Sequence, residues 1–186
     1  RKTEKMSKRW YNVVNPDLIC DKYGADSLRL FEMFLGPLEQ YKPWNTSGIV
    51  GTFNFLKKLW KLYVDESGIK VKDIKPELEN LKTLHKTINK IDRDIESYSF
   101  NTAVSNFMIA VNEFTDQNCV SSEILKSLLI ILSPYVPHIT EELWSLLGNK
   151  ESITKESFPV FEKKYIKEEN KIYPVSINGK VRAKLE

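Results

Sequence analysis

An all-α fold, an antiparallel helix bundle closed by a short C-terminal β-hairpin, is what this sequence predicts, and three observations predict it. Apolar residues recur at steps of three and four through most of the chain, the spacing of a helix with one buried face. The connections between these stretches are short and marked by Gly, Pro and Asn, which favours antiparallel neighbours. The last stretch, KIYPVSINGKVRAKLE, changes to period two around Asn178-Gly179, and an Asn-Gly pair between alternating runs signals a hairpin.

The elements follow in order. NPDLICDKYG opens with Asn15 as N-cap and Pro16 at the first helical position, and Gly24 closes a short helix. ADSLRLFEMFLGP places Leu28, Phe31, Phe34 and Leu35 on one face, with Gly36-Pro37 as the stop. LEQYKPWNTSG is irregular. A long helix is expected from about Ser47 to Glu66, with Ile49, Phe53, Leu56, Trp60 and Tyr63 as its core stripe and Lys57, Lys58 and Lys61 off it. Gly68 ends it, and IKVKDIKP reads as a loop with weak strand character. Pro76 starts the next helix, whose stripe is Leu78, Leu81, Leu84, Ile88, Ile91 and Ile95. FNTAVSNFMIAVNEF continues with Ala103, Val104, Phe107, Met108, Val111 and Phe114. SSEILKSLLIILSPYVPHITEELWSLLG is a buried helix broken by Pro134 and Pro137, then a short helix ending at Gly148. A lone hairpin is marginal in water, so the tail reads as the first strands of a further domain, with Leu185-Glu186 at its end.

Composition bounds the function without choosing it. Hydrophobic content of 41% with 11% aromatic supports a core and excludes a disordered chain. A net charge of +3 permits nucleic-acid contact through a local patch and does not demand it. Cys20 and Cys119 belong to no CxxC motif, sit in apolar helical patterns, and read as small buried hydrophobes in a reducing compartment. With His85 and His138 they match no zinc spacing, and no metal site is expected. No apolar run approaches the ~20 residues that span a bilayer, so no membrane partner is expected. A start at Arg1 without methionine reads as an excised piece of a longer protein.

The bundle offers no paired carboxylates, no Ser-His-Asp set and no Gly-rich phosphate loop. His85 lies at the edge of a core stripe and His138 at a helix start, where packing or capping suits each. Phe53, Phe55, Trp60, Phe107, Phe114 and Trp144 recur at helical spacing and read as core. The chemistry is left to the leader, RKTEKMSKRW, which carries three lysines and two arginines in ten residues. Two lysines three apart on a mobile loop can close around a polyphosphate and neutralise charge building on a leaving pyrophosphate. The same pair also occurs in any solvated basic leader. With no apolar periodicity, Arg1 to Arg9 is expected to be mobile.

KMSKRWYNVVNPDLICDKYGADSLRLF resembles the KMSKS signature loop of class I aminoacyl-tRNA synthetases with the segment that follows it. GIVGTFNFLKKLWKL resembles the first long helix of that family's anticodon-binding domain, and FNTAVSNFM and SPYVPHITEELWSLLG resemble its later segments. SFP stands at Ser157–Pro159 where the family often has Trp-Pro, and INGKVRAKL resembles the start of the C-terminal domain in the leucyl branch.

The resemblance implies residues 1–44 as the end of a catalytic region, 45–167 as a helical anticodon-binding domain and 168–186 as the start of a C-terminal domain. It implies Lys5 and Lys8 as catalytic, and Lys5, Met6, Ser7, Lys8 and Arg9 as the ATP-binding loop, with Lys8 the principal lysine. Arg9 departs from the family's serine; it cannot accept a hydrogen bond but adds a phosphate-seeking fork. The implied whole protein is a monomeric cytoplasmic enzyme that activates leucine with ATP and Mg²⁺ and passes it to tRNA(Leu). Its anticodon-binding domain carries a fold name, since leucyl enzymes lean less on the anticodon than their relatives. The HIGH motif, the leucine pocket and the editing domain of that family lie outside these residues. This piece alone is therefore expected to be inactive and to hold no cofactor. Two other readings remain at this level: a freestanding helical RNA- or protein-binding module, and the same region of a valyl, isoleucyl or methionyl relative.

Overall fold

A computed structural model describes residues 4–166, 173–177 and 180–185. Seven helices are described: α1 (Pro16–Tyr23), α2 (Ala25–Phe34), α3 (Ile49–Tyr63), α4 (Leu78–Glu96), α5 (Phe100–Asp116), α6 (Ser122–Leu132) and α7 (Pro137–Leu146). A two-residue ladder, β1 (Val64–Asp65) with β2 (Gly68–Ile69), follows α3, and β3 (Tyr173–Ile177) pairs antiparallel with β4 (Lys180–Leu185). That is the helix bundle with a closing hairpin. The hairpin register runs from Tyr173–Leu185 to Ile177–Lys180 with an irregularity at Val175/Ser176. Asn178, Gly179 and Glu186 lie outside the described residues, as do Arg1–Thr3 and 167–172. No described helix is long and apolar enough to cross a membrane.

Local chemistry sets the helix starts. The Asn15 side chain accepts from the Asp17 N–H at 3.0 Å, and Pro16 needs no N–H partner at the first turn. Gly24, at φ +84°, turns the chain directly from α1 into α2, a conformation costly for any residue with a Cβ. Gly48 answers a different need: a Cβ there would lie 2.7 Å from the Phe31 ring.

Two stripes sit differently from their expected faces. On α2, Leu30 and Phe31 are buried while Phe34 is 39% exposed. The helix is gripped from two sides. Leu30 joins the main core, and Phe31 joins Ile19 and Ile49 in a smaller cluster edged by Leu28, Leu35 and Trp44. On α3 the expected Ile49, Leu56 and Tyr63 are buried together with Thr52, Phe55, Leu59 and Leu62, leaving Phe53 and Trp60 only partly covered. Thr52 faces inward because its hydroxyl is satisfied, donating toward the Ile49 (2.9 Å) and Ser27 (3.1 Å) carbonyls. The helix also ends at Tyr63, earlier than expected. Asp65 Oδ1 accepts from the Ser67 N–H (2.8 Å) and hydroxyl (2.6 Å), making a turn that competes with helix. Gly68, at φ +114°, serves the β1–β2 turn instead of stopping a helix.

The main core gathers Leu59, Ile88, Ile91, Val104, Phe107, Phe114 and Leu128 from α3 to α6, all at 2% exposure or less. Leu78, expected on the α4 stripe, is 60% exposed at the first helical turn. Tyr63 is buried with its hydroxyl donating to the Leu125 carbonyl at 2.9 Å. Cys119 is buried and Cys20 half-buried, and both are free thiols.

His85 is buried at the edge of α4. Its Nδ1 accepts the Glu162 N–H at 3.1 Å, and its ring stacks on Tyr165 with centroids 4.5 Å apart. It fastens the strap Phe161–Ile166 to the bundle. Burial pushes its pKa below the ordinary 6.5, and Glu162 partly opposes that shift. A depressed folded-state pKa means the latch contributes fully above about pH 6.5 and weakens as pH falls through the lowered value. The protection factor of the Glu162 amide, corrected for the intrinsic slowing of exchange, should therefore fall relative to α5 core amides as the pH drops below 6.5, and a His85→Phe variant should lose this pH dependence.

Candidate functional site

The lysine-bearing loop stands on the α1–α2 side of the bundle. Ser7 caps a single 3-10 turn, Lys8–Trp10, its Oγ accepting the Arg9 N–H at 3.2 Å. Tyr11 adopts the left-handed conformation at φ 52°, which reverses the chain. Asn12 then reaches back: its Oδ1 accepts the Ser7 N–H at 2.8 Å and its Nδ2 donates to the Lys5 carbonyl at 3.3 Å. From Glu4 onward the leader is thus a hydrogen-bonded loop, in contrast to the shapeless run its charge suggests.

The five predicted site residues do not point to one place. Met6, itself 40% exposed, edges a groove of about 500 Å³ bordered also by Val14, Leu28, Leu35 and Trp44. Ser7 spends its hydroxyl on capping. Lys8 borders a shallow recess of about 340 Å³ with Tyr11 and Val13, and the Arg9 guanidinium lies 5.5 Å from the Trp10 ring centre. Lys5, Lys8 and Arg9 form no ion pair with a carboxylate among the described residues. Two exposed ammonium groups and a guanidinium, free of acidic partners there, are a donor set suited to the phosphates of ATP. Among the described residues no group of three or more His, Cys, Asp or Glu gathers to hold Mg²⁺.

Long-range contacts hold the loop's base in place. Buried Asp26 accepts from the His138 N–H (3.3 Å) and the Ile139 N–H (2.7 Å) at the start of α7, and its carboxylate lies 2.7 Å from His138 Nδ1. Arg29 donates to the Pro134 carbonyl at 3.0 Å. Both contacts join α2 to the α6–α7 corner, more than a hundred residues away in sequence. No local pattern announces Asp26; only its position in the first turn of α2 hints at capping, and it caps a different helix.

Two surface grooves complete the picture. One, about 510 Å³ and largely apolar, is bordered by Tyr23, Phe53, Trp60, Lys57 and His138, with the Lys57 ammonium 4.2 Å from the Phe53 ring centre. Here Phe53 departs from the core role expected of it, while Trp60, partly buried, packs against the edge of the main core. The other, about 320 Å³, lies between α3, α5 and the β1–β2 ladder and is bordered by Lys58, Lys61, Lys70, Thr115 and Asn118. Lys58 donates to Asn112 Oδ1 at 2.5 Å and Lys70 to the Lys61 carbonyl at 3.2 Å. This cationic groove was not singled out by the sequence, where Lys58 and Lys61 read as off the helix's core stripe and Lys70 as part of a loop.

Residues 78–186 match the family described as the anticodon-binding domain of tRNA ligase, well over half of the chain. A leucine–tRNA ligase of Flavobacterium johnsoniae is 62% identical over 186 residues, all of this chain and 20% of that protein. One from Flavobacterium psychrophilum is 63% identical over 182 residues, covering 98% of this chain and 19% of that protein. The chain thus spans about a fifth of the length of these relatives. Among solved structures, the LeuRS of Agrobacterium radiobacter K84, in a ternary complex with tRNA and LeuAMS, superimposes with a TM-score of 0.80 at 26% identity, over 97% of this chain and 25% of that one.

Proposed function

We propose, since this chain belongs to the family of anticodon-binding domains of tRNA ligases, that it is the tRNA-binding and pyrophosphate-side part of a leucine–tRNA ligase. The observation that carries this reading is the loop Lys5–Arg9, whose cations pair with no carboxylate among the described residues, beside a bundle of this family's fold. The similarity to leucine–tRNA ligases across the whole chain supports leucine as the amino acid. In that role residues 1–44 supply the loop and its base, 45–167 the helical domain, and 168–186 the beginning of a further domain. The complete protein would act as a cytoplasmic monomer on leucine, ATP with Mg²⁺, and tRNA(Leu).

Each group has a defined task. Lys5 and Lys8 carry fixed positive charge on a solvent-facing loop, and that charge counts most where negative charge accumulates, on the departing pyrophosphate. Lys8 bears the larger share. Arg9, stacked toward Trp10, presents an additional planar donor fork. ATP with its Mg²⁺ supplies the phosphoryl chemistry; these residues orient and neutralise. Asn12 keeps the loop in shape.

The test uses the full-length protein in pyrophosphate exchange and in charging of tRNA(Leu). Exchange should depend on leucine. Equal or better exchange with valine, isoleucine or methionine would replace the leucyl reading with one of its relatives, and no exchange with any amino acid would favour a freestanding binding module. For the tRNA surface, the Lys58–Lys61–Lys70 groove is the expected phosphate contact. Reversing all three to Glu should weaken tRNA(Leu) binding and reduce the slope of log affinity against log salt by about one unit per lost phosphate contact. Lys155, already engaged with Glu151 at 3.3 Å, is the control whose reversal should leave that slope unchanged.

A further inference from the structure

The lysine loop has almost no burial to hold it: of residues 4–12 only Ser7 is better than exposed. A loop of two lysines and an arginine with so little burial would be expected to sample many shapes. Its hydrogen bonds say otherwise. The Trp10 N–H donates to the Ser7 carbonyl at 3.0 Å and the Tyr11 N–H to the Lys8 carbonyl at 3.3 Å, which make the turn but leave the Lys5 end unattached. Only the Asn12 side chain bridges both ends, through the Ser7 N–H and the Lys5 carbonyl. The left-handed Tyr11 is the bend that returns Asn12 to that place.

We propose that Asn12 is a positioning residue for the lysine loop: its carboxamide clips Lys5 to Ser7 and thereby sets where the Lys8 ammonium can stand during pyrophosphate departure. This rests on the proposed role of Lys8. The carboxamide suits the task because it offers an acceptor and a donor at once, one for an N–H and one for a carbonyl. Side chains of similar size that offer only one of these cannot close both ends. The clip reduces the freedom that the lysines would otherwise lose on meeting ATP, an entropic advantage realised in the transition state as much as in binding.

The experiment is a double-mutant cycle in the full-length protein, with Asn12→Ala, Lys8→Ala and both together, read by leucine-dependent pyrophosphate exchange. Asn12→Ala should lower kcat about tenfold, with the KM for leucine and the melting temperature unchanged, because it touches neither the leucine site nor the core. In the Lys8→Ala background the same change should cost less than twofold, since there is no longer a lysine to place. Hydrogen exchange at the Ser7 amide should rise in Asn12→Ala, a direct sign that the clip has opened. If Lys8→Ala is impaired while Asn12→Ala stays within twofold of wild type, the inference is overturned and the role of Lys8 stands. An equal loss from Asn12→Ala in both backgrounds overturns it too, because Asn12 would then act apart from the lysine. Full activity of Lys8→Ala would overturn both readings together.

Discussion

Lys8→Ala in the full-length protein should lower leucine-dependent pyrophosphate exchange about a hundredfold and leave leucine binding nearly unchanged, if the proposed function holds. The asymmetry follows from when the charge appears. In the bound ground state, Mg²⁺ and solvent would already offset much of the charge on ATP. As the α-phosphate bond breaks, negative charge concentrates on pyrophosphate, so a cation placed there stabilises the transition state more than the complex preceding it. Losing one such donor typically costs ~3 kcal/mol, which is about two orders of magnitude in rate. Lys8→Arg should recover part of the loss, keeping the charge but changing a compact ammonium into a planar fork. Arg9→Ser, which restores the residue usual in the family, should cost far less, since Arg9 rests near Trp10 at the margin of the turn. Steady-state exchange on the three variants separates these cases. Near-normal turnover of Lys8→Ala beside an inactive Arg9→Ser would transfer the catalytic weight to Arg9.

Phe107→Ala should be the most damaging single substitution in the bundle, destabilising it by roughly 3–5 kcal/mol. Phe107 is wholly buried on α5, with Tyr135 edge-on at 5.1 Å between ring centres. Truncation removes both the transferred apolar area and the edge-to-face contact, and the rigid helices around it close the cavity only in part. For a domain of this size that corresponds to a drop in Tm of roughly 6–20 °C. Phe107→Leu keeps most of the volume and should lose much less. Calorimetry on the two variants checks the order, and a drop in Tm under 2 °C for Phe107→Ala would show that the core relaxes into the space. Phe53→Ala on α3, a ring beside Lys57 in an open groove, should shift Tm far less than Phe107→Ala.

The candidate loop is contiguous, so a resemblance to a family signature could single it out: Lys5 to Arg9 is one run of residues, which charge and spacing alone leave equally readable as a solvated basic leader. Asn12 was within the same stretch, yet nothing in residue order says that a side chain five positions on returns to the Ser7 amide; that depends on Tyr11 taking a left-handed φ. The cationic groove was harder still. Lys58 and Lys61 are one helical turn apart, but Lys70 joins them only because Asp65 and Ser67 fold the chain back into β1–β2.

The order of the helices and several of their starts were determined by the sequence alone, because caps, prolines and apolar periodicity act over a few neighbouring residues. Asn15 and Pro16 start α1, and Pro137 starts α7, wherever the rest of the chain goes. What only the tertiary structure decided is which side of an amphipathic helix becomes its buried side when more than one row is apolar. On α3 the row with Phe53 and Trp60 and the row with Phe55, Leu59 and Leu62 are equally acceptable to periodicity. The choice falls to the second because Thr52 satisfies its hydroxyl against Ser27 and because Gly48 lets Phe31 approach. The tertiary structure likewise decided that Asp26, a first-turn residue of α2, should close the start of α7. Such contacts join residues 25 to more than 100 positions apart, and no local energy term can see a partner at that distance.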